Sequence, residues 1–189
     1  MQLHAGTIRA ELTERQSAAV QLLLIAGFAA GTAIGAQIEL PHQPVPYTLQ
    51  TFFVLLSGTI LGKRNGAISQ ALYLAAGAAG LPVFAHWGAG FVHLAGPTGG
   101  YLLSFPIASF LVGAIAERSR GIPGLAGGMI CGLLLMFGFG TLQLALLYYH
   151  NFKDAFINGF LIFSWWDGVK LAGAVAVAQR WQAVSQKHS

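Results

Sequence analysis

Trp165-Trp166-Asp167-Gly168-Val169-Lys170 is the stretch on which the reading of this chain turns. It interrupts an apolar run that extends from Phe160-Leu161-Ile162-Phe163 to Leu171-Ala172-Gly173-Ala174-Val175. On a helix, an acid and a base three positions apart share a face and can touch. Either charge alone costs about 2.5–3.5 kcal/mol at mid-bilayer on insertion scales. Pairing lowers that cost without removing it, so the pair is expected to face protein, water or a polar ligand. Two readings stand side by side: a structural ion pair that locks helices or reaches the headgroups, and a ligand site.

Working outward, the class follows from composition. Of 189 residues, 55% are hydrophobic and only 8% charged, and mean hydropathy is +0.63. A soluble domain carries about 25% charged residues, so this chain is expected to be an all-α integral membrane protein. At about 20 residues per span, its length accommodates six transmembrane helices in a single membrane domain, residues 1–189. The expected helices are 18–38, 49–61, 67–81, 99–116, 125–147 and 157–180. The polar start, Met1 to Gln16, lacks the pattern of a cleaved signal peptide, and the first span is expected to direct insertion. The single Cys131 allows no internal disulfide and reads as a small packing residue.

Basic residues mark topology. With the N-terminus cytoplasmic, the inner segments hold Arg9, Arg15, Lys63, Arg64, Arg118, Arg120, Arg180 and Lys187, while the outer loops hold only Lys153. That bias places both termini in the cytoplasm. Scattered in twos, these residues form no stripe for nucleic acid. The outer side then receives the proline-rich segment Glu39-Leu-Pro-His-Gln-Pro-Val-Pro-Tyr-Thr48, the Gly-rich loop Val83 to Pro97 with His86, Trp87 and His93, and the connection Tyr148 to Asp154. In Val83 to Pro97, irregular backbone this apolar must be buried in protein or line a cavity; Glu39 to Thr48 reads as an ordered surface loop or a plain turn. Trp165 to Lys170 lies within reach of these loops.

In the first helix Gly27, Gly31 and Gly35 recur every fourth residue, with Ala30 beside them. Small residues at that spacing let another helix approach closely, either within the chain or on a second subunit.

Enzymatic readings find little support. The histidines have no HExxH or CxxC context for a metal, no Ser–His pair is set up for nucleophilic attack, and no phosphate loop for ATP is present. One buried carboxylate is too few for an ion relay. The chain is therefore expected to be no enzyme, to need no cofactor, and to carry an organic solute. Lys170 can pair with a solute carboxylate, and Asp167 can orient Lys170 or accept from a ligand N–H. Trp87, Trp166, Tyr47, Tyr73 and Tyr101 can enclose an apolar body; each taken singly also fits core packing or the interfacial belt.

Val45-Pro-Tyr-Thr-Leu-Gln-Thr-Phe-Phe-Val-Leu-Leu-Ser-Gly58, Gly62-Lys-Arg-Asn-Gly66, Leu72-Tyr-Leu74, Gly80-Leu-Pro-Val-Phe-Ala85 and Gly96-Pro-Thr-Gly-Gly-Tyr-Leu102 together resemble the BioY biotin-transporter family. These are substrate-binding S components of energy-coupling-factor (ECF) transporters. The resemblance returns at Asp167 to Lys170, where the family has Gly-Asp-x-x-Lys, with Trp166 here in place of the usual Gly. It implies an S-component fold in the plasma membrane and high-affinity capture of biotin from outside. The matching positions expected to touch biotin are Asp167, Lys170, Tyr101, Thr48 and Gln50, and His86 to His93, with the two outer loops as lids. It also implies partners, a transmembrane T subunit and two ATPases, with Gly27, Ala30, Gly31 and Gly35 docking the T subunit. Some members are said to work alone. Two alternatives remain open: an S component for another vitamin, and a non-transporting membrane scaffold.

Overall fold

The computed structural model describes residues 2–119, 121–161 and 165–187, with side chains from 17 to 184. Arg120, Ile162 and Phe163, and the side chains of Arg9, Arg15 and Lys187, lie outside the described residues.

The architecture is helical. Helix α1 (Gln2–Gln37) is apolar from Ser17 onward. A hairpin follows, β1 (Glu39–Leu40) against β2 (Tyr47–Thr48), with Glu39 opposite Thr48. The three prolines of this segment withhold helix-forming N–H groups, leaving only these two pairs. Helix α2 (Gln50–Ala78) runs on until Gly62, where φ 79° and ψ 170° break it. The sequence predicts two helices separated by a turn over Lys63–Gly66. Instead the chain turns at Gly62 alone, because glycine takes a positive φ without steric cost, and Lys63 onward is already helical. Glu117 holds this corner: it accepts from the Lys63 backbone N–H at 3.1 Å and pairs with Lys63 Nζ at 3.0 Å.

A short turn, Ala85–Trp87, and helix α3 (Phe91–Ala95) occupy the long Gly-rich loop. Then come α4 (Gly99–Arg118), α5 (Ile122–Gln143) with a wider helical turn over Leu144–Tyr149, α6 (Phe152–Ala155) with another over Phe156–Phe160, and α7 (Trp165–Lys187). Among the described residues three helices are long and apolar enough to cross a membrane, and a fourth if Phe152–Phe160 and Trp165–Val184, bent by 52°, count as one. The two limbs of α2 rise about 18 and 24 Å at 1.5 Å per residue, short of a hydrocarbon core of about 30 Å.

Backbone proximity holds the centre. A Cβ on Gly58 would sit 2.3 Å from the Ser109 carbonyl oxygen, and one on Gly113 would sit 2.5 Å from the Lys63 backbone. At this crossing of α2 and α4 runs a fully buried polar chain. Thr32 donates to Gln70 (3.2 Å), Gln70 to Ser57 (3.2 Å), and Ser57 meets Ser109 at 2.9 Å. Small residues permit the approach and interhelical hydrogen bonds secure it, as membrane bundles require. Leu22, Leu23, Leu134 and Leu146 cover the outer surface. Cys131, expected to pack inside, is exposed there too.

Candidate solute-binding chamber

Six parts of the chain enclose one chamber: the hairpin with Val45, Pro46, Tyr47 and Thr48; the start of α2 with Gln50 and Thr51; Ala85 and His93 from the long loop; Thr98, Tyr101, Leu102 and Phe105 around α4; Met136 and Phe137 from α5; and Asp167 and Lys170 from α7. Lys170 Nζ donates to Asp167 Oδ1 at 2.6 Å and to the Thr48 carbonyl oxygen at 3.0 Å. Only 2% of Asp167 and 5% of Lys170 is exposed. The ammonium therefore ties α7 to the end of the hairpin, a join between residues 122 positions apart in sequence.

A second relay leads away from that join. Thr48 Oγ1 donates to Gln50 Oε1 (2.7 Å), Gln50 Nε2 donates to Tyr73 Oη (2.6 Å), and Tyr73 donates to the Val83 carbonyl oxygen (3.2 Å). Tyr101 donates to the Gly159 carbonyl oxygen at 2.7 Å. Burial, and after it the Asp167 carboxylate, push the Tyr47 phenol above its ordinary value, so it remains a hydroxyl.

Of the residues predicted from sequence, Thr48, Gln50, His93, Tyr101, Asp167 and Lys170 meet in the chamber. Tyr73 stands behind its wall and buttresses Gln50. His86, Trp87 and Trp166 are not brought to it. His86 and Trp87 have φ of 57° and 56°, a left-handed turn costing about 1–2 kcal/mol per residue, and Trp87 is 70% exposed. Trp166 precedes Asp167 on α7, so a rotation of about 100° separates the two side chains. The apolar walls Leu102, Phe105, Met136 and Phe137 carry no signal in the sequence, since their helical spacing is that of any core face, and Val45 reads as one more apolar residue of the proline-rich segment. On α1, a Cβ on Gly31 or Gly35 would meet the Phe53 ring of this chain at 2.8 or 2.9 Å, whereas Gly27 has nothing within 4 Å and Ala30 is exposed.

Burial, and next to it His86, hold the His93 imidazole below its ordinary value. The folded protein thus favours neutral His93. As pH falls through about 6.5 the unfolded chain takes up the proton first, so the stability present above that pH is lost as pH falls through the depressed folded value. The melting temperature should drop less steeply on acidification in His93→Phe, which keeps the ring stack on Phe84 (5.1 Å). An identical drop would clear His93 of the effect.

A bundle of apolar helices around a roofed chamber with a buried ion pair defines a membrane protein that binds a small solute. The BioY family model matches residues 9–187, and the chain belongs to that family. It is 40% identical to the "Biotin transporter BioY" of Thermotoga maritima, over 85% of this chain and 94% of the relative. To the "Probable biotin transporter BioY" of Pyrococcus horikoshii it is 43% identical, over 87% and 97%. Its fold matches the solved S component for biotin from an ECF-type ABC transporter with a TM-score of 0.82, over 89% of this chain and 93% of that one, at 24% identity.

Proposed function

We propose that this protein takes up biotin, capturing it from the outer side of the plasma membrane as a transporter component rather than an enzyme. The observation that carries the reading is the Asp167–Lys170 pair, buried yet opening on a chamber roofed by the hairpin and the long loop. Membership of the family and the names of its relatives support biotin as the solute over another vitamin. A purely structural pair accounts poorly for an enclosed space beside it.

The geometry alters one expectation. Lys170 is already matched by Asp167 at 2.6 Å, and a solute carboxylate laid there would meet like charge. A neutral group that both accepts and donates, such as the cyclic urea of biotin, suits the pair better. The apolar walls then enclose the rest of the ring system, and the carboxylate tail points toward His93 and the mouth. Thr48, Gln50 and Tyr101 complete the polar contacts.

Six helical passes follow if each limb of α2 and the bent pair ending in α7 count as passes, with both termini cytoplasmic by the basic-residue bias. Uptake is energised by an ECF module of a T subunit and two ATPases, or by the protein alone, and Gly27 and Ala30 form the open part of the docking face on α1. Purified protein should retain radiolabelled biotin through gel filtration and release it to excess unlabelled biotin. Retention of thiamin or riboflavin instead would move the assignment to another vitamin, and retention of none would favour the scaffold.

A further inference from the structure

The last turn of α1 holds the roof of the chamber in place. Gln37 brackets the turn at residues 84–87: its Nε2 donates to the Phe84 carbonyl oxygen at 2.9 Å, and its Oε1 accepts from the Trp87 backbone N–H at 3.2 Å. Two residues on, Glu39 Oε1 contacts His86 Nδ1 at 2.5 Å. The held turn carries chamber residues on both sides. Ala85 lines the chamber directly, and Phe84, wholly buried, stacks on chamber-lining His93. His86 and Trp87 stay in left-handed backbone while so held. Among the described residues, the second oxygen of Glu39 is buried without a hydrogen-bond partner. Opening would relax the backbone and rehydrate that oxygen, which offsets part of the hydrogen bonding lost.

We propose that Gln37 and Glu39 are positioning residues of the lid, clasping the 84–87 turn to the end of α1 so that they set how fast bound solute escapes. Neither touches the chamber. Both act through the turn, and because Gln37 ends α1 and Glu39 follows it by two residues, displacement of that helix would reach the lid through them. Other bonds keep the turn folded when the clasp is gone: Phe84 N–H to the Gly88 carbonyl oxygen (3.0 Å) and Gly90 N–H to the Gly77 carbonyl oxygen (2.7 Å). The part of this inference that concerns escape rests on biotin being the solute.

The test uses full-length protein in detergent, with Gln37→Met, which keeps side-chain length without polar atoms, and Glu39→Ala. Amide hydrogen exchange of biotin-free protein reads the clasp: exchange across residues 84–88 should quicken in both variants while the helices are unchanged. Chase of preloaded radiolabelled biotin reads the gate: dissociation should rise about tenfold per variant with little change in association, since typical hydrogen bonds contribute about 0.5–1.5 kcal/mol each and 1.4 kcal/mol is tenfold. Unchanged exchange overturns the clasp. Faster exchange with unchanged dissociation overturns its gating role. Failure of the unaltered protein to bind biotin sinks the biotin reading, and the clasp is then judged on exchange alone.

Discussion

Lys170→Met should leave a protein that barely folds, and Asp167→Asn/Lys170→Met one that folds but holds biotin at least about a hundredfold more weakly. The first half follows from burial. With Asp167 only 2% exposed, removing the ammonium breaks a buried ion pair, a loss of about 3–5 kcal/mol. That approaches the whole stability of a marginal protein, about 5–15 kcal/mol. Neutralising both partners removes the buried charge as well, so the fold should return. Solute contacts made by the pair do not return with it. Hydrogen bonds to charged groups contribute about 1.5–3 kcal/mol each, which sets the expected hundredfold or greater loss. Thermal melting and equilibrium binding of radiolabelled biotin on the same preparations check both halves. A double variant that folds and binds at full strength would reduce the pair to a structural brace.

Gly58→Val should be nearly as damaging, for a reason remote from the solute. The new Cβ would lie 2.3 Å from the Ser109 carbonyl oxygen and 3.0 Å from the Gly113 nitrogen. Those are backbone atoms, so no side chain can swing aside; α2 and α4 must separate. Separation also parts Ser57 from Ser109, now 2.9 Å apart and both fully buried. Overpacking of cores costs about 1–3 kcal/mol and occasionally more, and a clash with main chain belongs at the upper end. A matched control is Gly138→Ala on α5, where nothing lies within 4 Å and helix propensity favours alanine by about 0.8–1 kcal/mol. Melting temperature should fall steeply in the first variant and hold or rise in the second. Equal behaviour of the two would mean that close approach of α2 and α4 does not hold the bundle together.

Membrane class, helical composition and the pairing of Asp167 with Lys170 were legible in the sequence because each rests on a cost that one dimension displays. Too few charges cannot cover a soluble surface, and an ion pair in an apolar run demands a partner. The single-residue break at Gly62 was less legible. Glycine permits a positive φ without requiring one, and the adjacent Lys63-Arg64-Asn65-Gly66 reads equally well as the turn. Thr32, Ser57, Gln70 and Ser109 gave no signal, since isolated small polar residues in apolar helices mean little until the crossing of α2 with α4 aligns them. His86 and Trp87 stand outside the chamber lining for a reason the sequence does not display. Their chemistry suits a site, but a left-handed turn, which the side chains themselves do not announce, directs them away. Gln37 was passed over because its value lies in two backbone groups 47 and 50 residues distant.

Asp167 and Lys170, locked 2.6 Å apart, sum to zero. Membrane voltage acts on net charge, with about 2.3 kcal/mol per elementary charge per 100 mV, and so has almost no grip on this pair. A lone lysine buried at the same depth would feel that field in full; a compensated pair leaves the cargo's own charge as the part of the loaded site that does.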